Sequence, residues 1–531
     1  MKMMMKRRFW ILAALMLNCL AMTGLSSCSD DDDDQAPGNK EFTYDLSEVK
    51  VAEQGTINPK EFLQDAIQKL TSDNADEETQ LRLDYYKELL QQVEQQEQHL
   101  YDSLKAVNPG NDASTILNQL FEKISSGYVV LNHPGTLADG STGTLSTLVV
   151  YPLTLGISTD ANRIILGCHF TVTGNHEVPT SVANQSFENI GTDTHLLIAD
   201  WVTSFSAMLV MPDYEGYGAS HLRSHPYLSR EVQARQCLES VSCAIAWFTG
   251  QHKKQLSKFC KIASVGYSQG GAVSAATYRY YLEHRSTEQW VKNLPEYIGA
   301  VCGDGPYDPQ ATVMTYIESN MLFMPVAPAL VLKALCETDP DMIKAGCTVN
   351  DFCTQGFINT KIFERLATKR STTDMCDKAI FDYADKHPDS LKYITVSGRK
   401  VLPTDQAFNQ ATITYLRTGN LIRHAPEEKL KTLKNCLMKN RLFHNFTLPD
   451  DARFTFFHSF GDEVVPYSNL QSVINTWGNS VKAFKYNTQT KTHVSTGAVF
   501  YVGVAKHFIN ALFAPKWKGE FTESDDPNAY F

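Results

Sequence analysis

A serine set between glycines is the first point at which this sequence offers chemistry. In Gly266-Tyr267-Ser268-Gln269-Gly270-Gly271, the apolar run Ile262-Ala263-Ser264-Val265 leads directly into Gly-x-Ser-x-Gly, and the small residues Ala272, Ser274, Ala275 and Ala276 follow. A buried strand that turns into a helix at this point presents the Ser268 hydroxyl on a strained turn, and the glycines let backbone segments approach closely. A serine hydroxyl is a weak nucleophile without a base to take its proton and an acid to orient that base. For a strand–serine–helix elbow the chain order is serine, acid, histidine.

The acid is expected at Asp462, in Phe460-Gly461-Asp462-Glu463-Val464-Val465-Pro466, where Val464 to Pro466 pin the loop after the apolar strand Phe454 to Ser459. Glu463 is the fallback, or else a solvated neighbour. Two histidines follow Asp462. His493 lies between an expected last strand, Ser480 to Tyr486, and a last helix, Thr496 to Phe513, on a loop that can reach over the sheet. His507 falls inside that helix beside Phe508 and Ile509, where packing accounts for it. His225 and His458 precede the acid, so chain order excludes them from the triad even if they lie near it. The backbone N–H of Gln269 is expected to supply one of the two donors an oxyanion needs. For the second, Thr173-Gly174-Asn175 and the turn at Asp213 both stand as candidates.

The elements that must position these groups can be read in outline. Strands are expected at Tyr128 to Leu131, Leu145 to Tyr151, Arg163 to Phe170, Ser206 to Pro212 and Tyr297 to Gly303, with helices at Arg230 to Thr249 and from the elbow to about His284. Alternation of continuous apolar strands with helices predicts a mostly parallel sheet covered on both faces. Residues 306–450 break this rhythm and read as a helical cap, because a connection of that length is too long for a loop. Within it, Met321 to Leu332 is apolar and suits either cap core or the wall of an acyl pocket. Residues 46–125 form an N-terminal helical region, with Leu83, Tyr86, Leu90 and Val93 at helical spacing and a break in the stripe at Glu97. The core is then 126–305 and 451–531.

The first 28 residues read as a targeting segment. Lys2 to Arg8 is basic, Phe9 to Met22 is apolar but short for a membrane span, and Leu25-Ser26-Ser27-Cys28 resembles a bacterial lipobox, which implies lipidation of Cys28. Residues 29–45, opening with Ser29 and Asp30 to Asp34, read as an acidic tether that resembles a surface-export tag of outer-membrane lipoproteins. The net charge of −11 becomes −15 once Lys2, Lys6, Arg7 and Arg8 are removed, which opposes nucleic-acid binding by a basic surface. Of twelve cysteines, ten remain in the folded part, and export permits disulfides, most readily among Cys336, Cys347, Cys353 and Cys376. Cys237 and Cys243 lie on different faces of one helix and are not expected to pair. No Cys-x-x-Cys or His-Glu-x-x-His pattern is present, so no metal and no cofactor are expected.

Taken together, Gly266 to Gly271, Pro212-Asp213-Tyr214-Glu215-Gly216 and Phe460 to Pro466, followed by His493, resemble the secretory lipases of the α/β-hydrolase superfamily over residues 126–531. The resemblance implies an α/β-hydrolase fold, doubly wound on a mostly parallel sheet, with a helical cap insertion, to which this chain adds an N-terminal helical extension. It implies hydrolysis of a small-molecule or lipid ester by Ser268, His493 and Asp462, and it lends Asp213 a part in the oxyanion hole beside Gln269. The N-terminal helices have no counterpart in that family. A peptidase on the same fold and a non-catalytic surface-binding lipoprotein are the competing classes.

Overall fold

Strands such as Ile164-Ile165-Leu166 carry no polar face, and a strand of that kind needs apolar cover on both sides. A computed structural model describes residues 45–524, except for 73–74, 108, 154–162, 183–190, 203–206, 253–255, 258, 487–491 and 514–520. The leader with Cys28, and the tether up to residue 44, lie outside the described residues.

Twelve strands are described. They are β1 (Lys50–Ile57), β2 (Ser126–Thr136), β3 (Thr142–Pro152), β4 (Arg163–Cys168), β5 (Ala207–Pro212), β6 (Lys261–Tyr267), β7 (Glu296–Gly303), β8 (Ile394–Val396), β9 (Arg399–Val401), β10 (Phe454–Ser459), β11 (Lys482–Tyr486) and β12 (Phe521–Ser524). Ten of them form one sheet in the order β1-β2-β3-β5-β4-β6-β7-β10-β11-β12. The first three pairings, β1 with β2, β2 with β3 and β3 with β5, are antiparallel. Those from β5 through β12 are parallel. The exchange of β4 and β5 in the order, and the parallel run through β6, meet the expectation of a doubly wound sheet.

The two-residue period of a strand sends neighbouring side chains to opposite faces. On one face Val129, Leu131, Ile164, Leu166 and Val210 pack with residues of the helices Arg230–His252 and Gln269–His284. On the other, Tyr128, Val130, Ile165, Leu209 and Val265 pack with the helix Thr192–Val202 and the C-terminal helices. The N-terminal helices Pro59–Leu70 and Glu77–Val107 belong to this second layer. Phe62 stacks on His195 at 4.3 Å, and the Tyr86 hydroxyl is 2.9 Å from His195 Nδ1. At the break in the apolar stripe, Glu97 accepts from Lys60 Nζ at 3.2 Å, tying the two helices together. The region is not wholly helical, however. β1 pairs along β2 through its backbone while most of its side chains face solvent, so its composition carried no strand signal.

Between β7 and β10 the chain builds helices from Pro309–Ser319 to Glu427–Lys439 and the small antiparallel ribbon β8–β9, around a core of its own. The apolar stretch at Met321 to Leu332 divides between the cap core and a cavity wall. Leu322, Val326, Ala329 and Leu330 enter the cap core, while Met324, Ala327, Pro328 and Val331 line a cavity that also contains Ser268. The disulfide expectation fails. All ten described cysteines, Cys336, Cys347, Cys353 and Cys376 among them, are buried and free of disulfides.

Candidate active site

β6 runs between β4 and β7, and its last residue, Tyr267, pairs with Gly303. The chain then turns at Ser268, whose φ of 56° and ψ of −124° lie in a region that residues with a side chain seldom occupy. The turn is held because the Ser268 N–H donates to Gly303 O at 2.9 Å and the Ala272 N–H donates to Ser268 O at 3.1 Å. The glycines of the motif are needed for proximity. A Cβ on Gly270 would stand 2.0 Å from Cys168 O, and one on Gly266 would stand 2.3 Å from Gly270 O. The helix Gln269–His284 therefore begins pressed against the sheet, with the hydroxyl of Ser268 outside it.

The structure brings together the three residues singled out by order along the chain. Ser268 Oγ lies 2.9 Å from His493 Nε2, and His493 Nδ1 lies 2.5 Å from Asp462 Oδ2. His493 is not on a loop, as its position between strand and helix suggested. It opens the helix His493–Val499, whose cap is Thr492, so its backbone is fixed by helix geometry. Asp462 follows β10, and its Oδ1 accepts from the N–H groups of Val464 at 2.8 Å and Val465 at 2.7 Å. All three are buried. Burial lowers the His493 pKa, which keeps the imidazole neutral and able to accept a proton. It pushes the Asp462 carboxyl up to about 8, while the two backbone donors on Oδ1 favour the anion.

Glu463 is not a solvated neighbour. Its Oε2 accepts from the His493 N–H at 3.0 Å and its Oε1 accepts from Arg399 Nη1 at 2.6 Å, linking the histidine backbone to β9 of the cap. His458 and His225 lie close by without entering the triad. His458 Nε2 donates to Val465 O at 2.9 Å and so pins the acid loop. His225 Nδ1 donates to Glu215 O at 2.7 Å, which leaves Nε2 to accept from the Gln269 side chain at 2.9 Å. His507 stands apart, on the helix Lys506–Leu512.

The candidate oxyanion donors divide. The Gln269 N–H is in the first turn of its helix, directly after Ser268, and has no acceptor among the described residues. Asp213 does not fit a donor's place. Its own N–H donates to Ser146 O at 3.0 Å, and its carboxylate accepts from Ser146 Oγ at 2.6 Å, from the Thr180 N–H at 3.0 Å and from the Thr180 hydroxyl. These bonds aim at β3 and at the loop after β4, so Asp213 secures that loop. Nor do the alternatives fit. The N–H groups of Thr173 and Gly174 donate to Glu177, and that of Asn175 donates to Lys369 O. Thr171, two residues earlier on the same loop, lines the cavity with Ser268, and its N–H has no acceptor among the described residues. No motif marked it. The one available signal was its place three residues beyond β4, which required the exact end of that strand.

Above Ser268 the cap lines an apolar cavity. Apart from Thr171, Ser268, Thr312, Thr412 and two tyrosines, its walls are hydrocarbon side chains and prolines, including Ile317, Val331, Ile413 and Leu416. Asp304, Asp462 and His493 each offer a ligand-type atom within 4.8 Å of one another, as do Asp339, Asp341 and Cys436. In the first set, however, His493 already serves Ser268 and Asp462. In the second, Lys439 Nζ lies 2.7 Å from both carboxylates and supplies their positive charge.

No protein-family model matches the sequence, and no curated protein does. Solved structures share the architecture. A protein of Legionella pneumophila provisionally described as a hydrolase superposes with a TM-score of 0.55 at 18% identity, covering 74% of this chain and 90% of its own. The rice cell wall degrading esterase LipA of Xanthomonas oryzae gives 0.52 at 16% identity, over 77% of this chain and 92% of that one. Candida antarctica lipase A in its closed state gives 0.51 at 14% identity, over 75% and 81%. At these identities the likeness shows the α/β-hydrolase fold.

Proposed function

We propose that this chain is a serine ester hydrolase of the lipase or esterase type, acting through an acyl-enzyme on Ser268. The observation that carries this reading is the unbroken hydrogen-bonded series Ser268–His493–Asp462, at 2.9 and 2.5 Å, whose serine lines an apolar cavity. Ser268 Oγ attacks the ester carbonyl carbon while its proton passes to His493 Nε2. Asp462 holds the Nδ1 proton and stabilises the imidazolium that forms. The oxyanion is met by the N–H groups of Gln269 and Thr171, neither of which has another acceptor among the described residues. His493 returns the proton to the leaving alkoxide, and a water molecule, activated by the same base, releases the acid from Ser268. The cavity suits the hydrocarbon chain of the acyl group, since burying each methylene there contributes about 0.8 kcal/mol. On the leader's evidence, the enzyme is held at the bacterial outer membrane by lipid on Cys28 and faces outward.

The test is a p-nitrophenyl ester series run beside aminoacyl-naphthylamides on the purified chain. Turnover of esters that rises with acyl length and vanishes in Ser268→Ala supports the reading. Dominant amide turnover would indicate a peptidase, and binding without turnover of any ester would indicate a surface-binding protein.

A further inference from the structure

Beside the triad sits a second carboxyl that the mechanism above does not use. Asp304 directly follows β7 with a φ of 34°, a strained value for a residue with a side chain, and it is completely buried. Its N–H donates to Phe457 O at 2.9 Å, its Oδ1 accepts from the Ser459 N–H at 2.9 Å, and its Oδ2 accepts from the Tyr267 hydroxyl at 2.8 Å. The same Tyr267 hydroxyl lies 2.7 Å from His493 O. An oxygen of Asp304, an oxygen of Asp462 and a ring nitrogen of His493 fall within 4.8 Å of one another.

Two buried carboxyls this close do not both carry charge unless cations compensate them. Among the described residues, none of their hydrogen-bond partners is a lysine or arginine. The titratable groups around Asp304 are Tyr267 at the end of β6, Tyr307 just after β7, His458 in β10, Asp462 and Glu463 on the loop after it, and His493. Donor counts decide which carboxyl is the anion. Asp462 accepts two N–H groups on Oδ1 and faces His493 Nδ1 with Oδ2, whereas Asp304 accepts one N–H and one hydroxyl that it shares with a carbonyl. Burial raises both carboxyls, Asp304 to about 7 and Asp462 to about 8, so the pair holds a proton at neutral pH, and the hydrogen-bond donors on Asp462 place that proton on Asp304.

We propose that Asp304 is a positioning residue that holds a proton at neutral pH and donates it as a hydrogen bond to Asp462, keeping Asp462 the anion that orients His493. This rests on the ester-hydrolase reading for its kinetic consequence but not for its protonation state. A neutral donor at Asp304 stabilises ionised Asp462. Without it, the Asp462–His493 pair takes up its inactivating proton at higher pH.

The test is the pH profile of kcat/KM for a soluble p-nitrophenyl ester in the full chain, compared among wild type, Asp304→Ala and Asp304→Asn. The expected result is an acid limb displaced upward by about one pH unit in Asp304→Ala and largely restored in Asp304→Asn, whose amide can still donate. A downward displacement in both variants would mean that Asp304 is an anion. An unmoved limb would mean that it only joins β7 to β10. Either result overturns the proposal. Difference infrared spectroscopy reads the proton without catalysis, so it also serves if the variants fold poorly or the wild type turns over no ester. A deuterium-sensitive neutral-carboxyl band in wild type at pH 7, lost in Asp304→Asn, is expected, and its absence from wild type would refute the assignment. Loss of all ester turnover by a wild type that retains the band would instead count against the hydrolase reading alone.

Discussion

In the floor, Ser268, which lines the cavity, and the residues bonded in series behind it, His493, Asp462 and Glu463, are each fixed by directed hydrogen bonds, whereas in the roof Met324, Val331, Ile413 and Leu416 are held by apolar packing. A directed bond fixes an atom to a few tenths of an ångström, and the rate of a proton-transfer step depends on that placement. Apolar packing fixes a volume, and a volume selects among substrates. Substitutions in the floor should therefore change how fast any ester is cleaved, and substitutions in the roof should change which ester is cleaved.

The contrast is broken most severely at the acid. Asp462→Asn leaves the shape of the floor but removes the charge that orients His493, and kcat should fall by about 10⁴-fold for short and long esters alike. A loss confined to long chains would contradict the division. In the roof, Val331→Trp fills the cavity, and kcat/KM for a long-chain ester should fall about 100-fold relative to a short one, with short-chain kcat kept. A chain-length profile measures both at once. Between the two regions, Glu463→Gln weakens the hold on the His493 N–H while keeping the side chain's shape, and should cost about fivefold in kcat, the equivalent of about 1 kcal/mol for one hydrogen bond. Arg399→Ala removes only the outer, half-exposed end of that link, and the change should stay within about twofold because exposed ion pairs contribute little.

The same contrast explains what the sequence disclosed. Ser268, Asp462 and His493 were legible because a hydrogen-bonded site leaves local marks: glycines where backbones touch, a pinned loop after a strand, and a fixed order along the chain. The core strands were legible because each is a continuous apolar run. β1 was not, since its ladder is made by backbone atoms that every residue possesses. Asp213 misled because its segment is distinctive for holding the loop after β4, and only the direction of its hydrogen bonds reveals that. Glu463 and Asp304 gain their meaning from partners in distant segments, Arg399 and His493 for one, Tyr267 and Ser459 for the other. The cap's cavity is a shape produced by many helices at once, and no single stretch encodes it. The disulfides failed for a related reason, because burial, with a polar partner for some such as Cys436 on Asp339, gives a cysteine a place without pairing.

Covalent labelling tests most directly whether Ser268 is a nucleophile activated by His493. A fluorophosphonate probe, followed by intact-mass measurement and peptide mapping, should add one adduct per chain of wild type, on Ser268, with none on Ser268→Ala and strongly slowed addition to Asp462→Asn. Equal labelling of wild type and Ser268→Ala, or a wild type that takes up no probe while remaining folded, would contradict it.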